Sequence, residues 1–180
     1  MTYKNITSKN DEQIEQMIRV NQAGEFGAKR IYEGQLVVLK NDKKYKIIKR
    51  MDNQEEEHLK TFNKMMVEKG VRPTILSPLW NIGGFVLGAT TAFISTEAAM
   101  ACTVAVEEVI DKHYESQKLL LRKKKKEKKL LKTIEKFRLQ ELEHKNIALK
   151  NDAEKTKNYR SLTRGIKVIT SIAIFLSKKI

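Results

Sequence analysis

Glu55 and His58 stand three residues apart, as do Glu141 and His144, and each pair closes one five-residue pattern, Q-E-x-E-H, at residues 54–58 and 140–144. The two copies take two of the chain's three histidines. On a helix, residues i and i+3 lie on one face about one turn apart. Each pair can therefore direct a carboxylate oxygen and an imidazole nitrogen at one point, which is half of a metal site.

The remaining donors come from a second repeated pattern, E-x6-Y-E-x-Q, upstream of each first one. It reads Glu25, Tyr32, Glu33, Gln35 and again Glu107, Tyr114, Glu115, Gln117. The upstream copies are offset by 82 residues (107 − 25) and the downstream copies by 86 (141 − 55), so only the connection within each half differs in length. The chain reads as a duplicated helical hairpin. One Glu from each of two helices, with Glu-x-x-His from each of the other two, is the two-metal donor set of ferritin-like four-helix bundles. The metal ligands expected are thus Glu25, Glu55, His58, Glu107, Glu141 and His144. Four carboxylates balance two divalent ions, and oxygen and nitrogen donors without thiolate suit iron or manganese. A single Glu-x-x-His is commonly a solvated surface pair; two, each with a matched upstream Glu, are not.

Four amphipathic helices must carry these donors inward. In hairpin one, residues 11–70, the first helix has Ile14, Met17, Ile18, Asn21, Gly24, Glu25, Ala28, Tyr32, Gln35 and Leu39 at the three-and-four spacing of one face. The second follows a polar turn at 40–44, carries Ile47, Ile48, Met51, Glu55, His58, Leu59, Phe62, Met65 and Met66 inward, and ends near Gly70. In hairpin two, residues 97–155, Met100, Thr103, Glu107, Ile110, Tyr114, Gln117 and Leu121 match the first helix, while Ile134, Phe137, Glu141, His144 and Ala148 match the second. A carboxylate in mid-stripe is costly to bury unless something pairs it, and a cation is the simplest partner.

Two further segments lie outside the repeat. Residues 73–96 hold no Asp, Glu, Lys or Arg, and their length barely meets the ~20 apolar residues of a membrane span. Proline, Asn81, several glycines and threonines lower the hydrophobicity, and a lone span would put the two halves of the metal site on opposite sides of a bilayer. An apolar crossover that dips into one leaflet is expected. A C-terminal amphipathic helix over 160–178 presents Leu162, Ile166, Ile169, Ala173 and Leu176 on one face, with Arg160, Arg164, Lys167, Lys178 and Lys179 around it. That pattern suits an interfacial membrane helix or a cap on the bundle.

With 180 residues, a single all-α domain is expected. The formal net charge of +14 implies attraction to a polyanion, and the basic run from Arg122 to Lys129 suits anionic lipid, at roughly 1 kcal/mol per residue near the surface, or a solvated turn. Nucleic acid is not expected as a partner, because few aromatics are interleaved for stacking. The lone Cys102 excludes an intrachain disulfide, and the polar N-terminus has no signal-peptide core, which together suit a reducing, cytosolic face.

The stretches Arg19–Ala28, Glu55–Asn63, Ala101–Glu108 and Glu141–His144 make nearly the whole chain resemble the demethoxyubiquinone hydroxylases of ubiquinone biosynthesis. It departs from the family pattern at Asn21–Gln22, where Asp-His is usual, and in the length of the lysine run. The resemblance implies a di-iron monooxygenase acting on the ring of a demethoxylated polyprenyl quinol, with two Fe ions held by the six residues above and bridged by Glu55 and Glu141. It also implies O2, an electron donor such as NADH, and other proteins of ubiquinone biosynthesis as partners. The expected location is peripheral, on the cytoplasmic face of a bacterial inner membrane or the equivalent matrix face. A soluble ferroxidase or peroxide-reducing di-iron protein would use similar ligands but has no use for two apolar segments.

Tyr114 follows Glu107 by seven residues, about 20° short of two full turns, and Tyr32 follows Glu25 likewise. Each tyrosine should lie near the metal-facing stripe. His113 precedes Tyr114 where Ile31 precedes Tyr32, so a polar relay between quinol ring and irons is expected through Tyr114 and His113 alone, against the plainer reading of two buried aromatic rings.

Overall fold

The computed structural model describes residues 9–124 and 127–179. They form six helices, α1 (Lys9–Val38), α2 (Tyr45–Lys69), α3 (Ser77–Ile94), α4 (Thr96–Lys124), α5 (Lys128–Lys150) and α6 (Tyr159–Lys179), with a 3-10 turn at Ala153–Lys155 and no strand among the described residues. The all-α, ferritin-like reading holds. Lys125 and Lys126, in the middle of the basic run, lie outside the described residues.

Local signals set the helix ends. Gly70 closes α2 in the left-handed conformation (φ 64°), and the Val71 N–H returns to the Met66 carbonyl at 2.9 Å. Pro78 lies in the first turn of α3, where its missing N–H costs nothing. Extended Ser95 alone separates α3 from α4; its Oγ accepts the Ala98 N–H at 3.0 Å and so caps α4.

The hairpins pack α1 on α2 and α4 on α5, and the backbones of α2 and α5 stand apart. Helices α3 and α6 cover the α1–α4 side. Of the first helix's expected inward stripe every residue is buried except Gly24, which is half-buried; on α4 and α5 all are buried. Ile48, Met51, Phe62, Met100 and Ile134 are fully enclosed, each worth roughly 1.5–3 kcal/mol.

Residues 73–96 are more regular than a crossover: most of them form α3, which lies along α1. The glycines that lower its hydrophobicity make this contact. A Cβ on Gly88 would collide with the Ile31 carbonyl, and one on Gly34 with the Phe85 carbonyl, so the two backbones meet where side chains are absent. No described helix is long and apolar enough to cross a membrane. On α6 the inward side is Thr163, Ile166 and Ser177, whereas Ile169, expected inward, is 58% exposed alongside Val168, Ile172 and Phe175. Contact with α4 and α1 is made by the edge of the apolar stripe, leaving its centre outward. In the basic run, Arg122 pairs with Glu135 and Lys129 with Glu68, so part of that charge is held internally.

Candidate metal centre

Glu25 on α1, Glu55 and His58 on α2, Glu107 on α4, and Glu141 and His144 on α5 are all buried, none more than 1% exposed. Their donor atoms fall into two overlapping groups, each within 4.8 Å: Glu25, Glu55, His58 and Glu141, and Glu55, Glu107, Glu141 and His144. Glu55 and Glu141 belong to both. The two groups share two carboxylates and each has one carboxylate and one imidazole of its own, which is a site for two cations.

The donor atoms converge without satisfying one another. His58 Nδ1 lies 3.0 Å from Glu141 and 3.3 Å from Glu25; His144 Nδ1 lies 3.1 Å from Glu55 and 3.2 Å from Glu141. Yet both oxygens of Glu55 and of Glu141, one of Glu107, and His144 Nδ1 have no hydrogen-bond partner. A buried ion costs several kcal/mol, more than one buried apolar neighbour returns, so lone pairs aimed at common points fit cations.

The protonation preferences agree. Burial opposes charge on His58, but the Glu25 charge, with the close approach of the Glu141 carboxylate, overrides it and pushes the imidazole up to about 12. His144 is raised for the same kind of reason by Glu107, Glu141 and Glu55. Burial and the Glu141 charge raise Glu55 well above the carboxylate range and Glu107 to about 7. Burial would raise Glu141 too, yet the contacts from His144 and His58 hold it at about 2. The cluster draws positive charge to itself.

Residues around the cluster repeat the duplication in crossed form. Tyr32 Oη donates to Glu107 at 2.8 Å, and Tyr114 Oη donates to Glu25. His58 Nε2 donates to Gln140 at 3.1 Å, and His144 Nε2 to Gln54 at 3.0 Å. The glutamines received no role from spacing alone; their recurrence ahead of each Glu was the available signal. Tyr114 reaches the cluster, as does Tyr32. His113 does not: its Nε2 lies 2.7 Å from Gln117 Nε2, and burial lowers it to about 4. Asn21, at the departure from the family pattern, exchanges two hydrogen bonds with Gln117, at 2.9 and 2.8 Å.

An apolar cavity of about 460 Å3 lies between α1, α3, α4 and α6. None of the six cluster residues lines it, but Gly24 and Val106, the chain neighbours of Glu25 and Glu107, do. From there it runs outward between α3 and α6, which Trp80 and Ser177 tie together at 2.8 Å.

A four-helix bundle with two shared carboxylates and a Glu-x-x-His on each of two helices defines a ferritin-like, two-metal carboxylate protein. Residues 12–177 match the family of Ubiquinone biosynthesis protein COQ7, and the chain belongs to that family. It is 52% identical over 168 residues to the mitochondrial NADPH-dependent 3-demethoxyubiquinone 3-hydroxylase of Dictyostelium discoideum, covering 93% of this chain and 77% of that one. Identity to the rat enzyme of the same name is 49% over 181 residues, covering 99% and 82%. Identity to the 3-demethoxyubiquinol 3-hydroxylase of Rhodospirillum rubrum is 44% over 168 residues, covering 93% and 78%.

Proposed function

We propose that the chain is a di-iron monooxygenase that hydroxylates the ring of a demethoxylated polyprenyl quinol. Glu25 and His58 would hold one iron and Glu107 and His144 the other, with Glu55 and Glu141, which belong to both donor groups, shared between them. The iron pair supplies activation of O2. The balance is ring C–H plus O2, two electrons and two protons giving ring C–OH and water, with a reduced nicotinamide cofactor as the electron source.

The apolar cavity is the observation that carries this reading. Its inner wall includes Gly24 and Val106, the chain neighbours of Glu25 and Glu107, and its outer wall is two helices whose outer faces are apolar: Leu79, Ile82 and Val86 on α3, and Ile169, Ile172 and Phe175 on α6, all more than half exposed. A quinol ring fits the inner end while its tail passes outward. Exposed Arg160, Arg164, Lys178 and Lys179 surround that apolar face and suit anionic headgroups, so the protein sits peripherally on a membrane, at the cytoplasmic or equivalent matrix face. A ferroxidase would need a polar route for iron here, and this cavity is lined almost wholly by carbon.

Within the site, Tyr114 orients Glu25 and Tyr32 orients Glu107 by hydrogen bonds to single carboxylate oxygens. Tyr114, with His113 beside it, is the side of the pair that serves the quinol and electron relay. Quinone profiling of a strain lacking the protein tests the activity: demethoxylated quinol should accumulate and be cleared by the wild-type chain but not by His58→Ala. A normal quinone profile in that strain would refute the hydroxylase reading.

A further inference from the structure

The eight glycines differ in what a methyl in place of the hydrogen would meet. Gly34, Gly84 and Gly88 are required by packing, since a Cβ on any of them would strike a carbonyl of the facing helix, α3 or α1. Gly70 closes α2 in the left-handed conformation. Gly24, Gly27 and Gly83 have neither reason. Their φ is not positive, and a Cβ on each would meet no heavy atom within 4 Å. All three line the apolar cavity.

A glycine inside a helix is destabilising relative to alanine, because it loses more backbone entropy on folding. Gly24 and Gly27 stand in the middle of α1 with room for a methyl, so the fold alone favours alanine at both. Both are half-buried and both line the cavity, so the space that the missing methyls keep free belongs to the cavity.

The two glycines are three residues apart, on one face of α1 and about 4.5 Å apart along its axis. Ala23 and Ala28 lie beside them, and the branched side chains of Val20 and Ile31 bound the patch one turn further in each direction. Gly24 is the chain neighbour of Glu25, so this patch belongs to the inner wall. A bare patch one turn long, closed along the helix at both ends, has the shape for the face of one flat ring. A prenyl chain needs a groove that continues outward, which the seam between α3 and α6 supplies.

We propose that Gly24 and Gly27 determine which substrate the cavity accepts: the quinol ring lies with its face on their bare backbone, and a methyl at either position takes the room that the ring needs. The inference rests on the hydroxylase reading above and names the residues that set its specificity.

Trp80, the chain's one tryptophan, lines the same cavity, so a bound quinone should quench its fluorescence. The test is titration of the iron-loaded protein with a demethoxylated benzoquinone bearing a short prenyl tail, and with its tail-free analogue. Gly24→Ala and Gly27→Ala should each weaken binding of both quinones by about tenfold or more, the usual effect of one methyl group in an apolar pocket. Both variants should keep the wild-type iron content and melt about 2–4 °C higher, as for glycine to alanine within a helix of a chain this size. A packing role would instead move stability and binding down together. Gly165→Ala is the control: Gly165 is exposed on α6, does not line the cavity, and has room for a Cβ, so the change should leave quinone binding as it is. Undiminished binding in both glycine variants, or a lower melting temperature or iron content, overturns the assignment. A loss confined to the tailed quinone also overturns it, by putting the tail on this wall. Failure of the wild-type protein to bind the quinone at all would count against the hydroxylase reading itself.

Discussion

The Nε2–H of His144, on α5, donates to the side-chain oxygen of Gln54, on α2, across the bundle at 3.0 Å. His58 and Gln140 make the mirror contact at 3.1 Å. Each hairpin thereby orients the imidazole of the other, fixing the proton on Nε2 and leaving Nδ1 for the metal. Such partners of a ligating histidine are worth about 10–100-fold in metal affinity. Gln54→Leu and Gln140→Leu should each weaken iron binding by that order in a chelator competition, while Gln54→Glu, which keeps an acceptor, should recover most of it. Equal affinity in the Leu variants and wild type would remove the glutamines from the site's construction.

Metal loading should depend on pH in a definite sense. His58, His144, Glu55 and Glu107 all have raised proton affinity in the folded, metal-free protein. Groups raised on folding stabilise it fully below their unfolded values, and that stability is lost as pH rises through the folded ones. For Glu107 the window runs from the ordinary carboxylate range to about 7, and for His58 from the ordinary imidazole range to about 12. Glu141, held at about 2, opposes this only in strong acid. The metal-free protein should therefore melt at progressively lower temperature between roughly pH 6 and pH 9, with Glu107 contributing up to about pH 7 and His58 beyond it, and the gain in melting temperature on adding Fe2+ should widen. Each Fe2+ pair bound should release at least about two protons into weakly buffered solution. A gap that narrows with pH would mean that protons and metal do not compete for these groups.

Much of this site was legible in the chain because duplication gave every donor a second witness. The stripes of α1, α2, α4 and α5 share one period, and the carboxylates stand in register with buried Ile48 and Ile134, or Met51 and Phe137. What stayed hidden depends on contacts between elements. The glycines of α3 read as weakened hydrophobicity, since nothing local reveals that Gly88 faces the Ile31 carbonyl. Ile169 read as inward because a helix's period shows that it has an apolar face, not how much of that face a neighbour covers. The crossing of Tyr32 to Glu107 and Tyr114 to Glu25 was invisible for the same reason: spacing orders residues along one helix, and these bonds join two.

The tyrosines are equivalent in their hydroxyl bonds and unequal in their surroundings. Tyr32 Oη also lies 3.9 Å from the Met51 sulfur, whereas Tyr114 adjoins the polar set of His113, Gln117 and Asn21. Tyr114→Phe should keep both irons but slow reduction of the centre or turnover by about tenfold or more, some 1.4 kcal/mol of barrier, with a smaller effect for Tyr32→Phe. Stopped-flow reduction of both variants measures this, and identical rates would reduce Tyr114 to packing.

The buried face of α2 and α5 carries the donor residues. Glu55 is enclosed at 0% side-chain exposure, while Glu57, two residues on, is 73% exposed and its carboxylate pairs with Lys60. Iron content per chain after anaerobic loading, measured side by side for Glu55→Gln, Glu57→Gln and wild type, separates the two faces. The wild-type and Glu57→Gln proteins should each hold two irons, and Glu55→Gln, having lost a bridging carboxylate, should hold fewer and fail to hydroxylate. Equal iron loss in both variants, or full loading in Glu55→Gln, would contradict the assignment of the buried cluster as a two-iron centre.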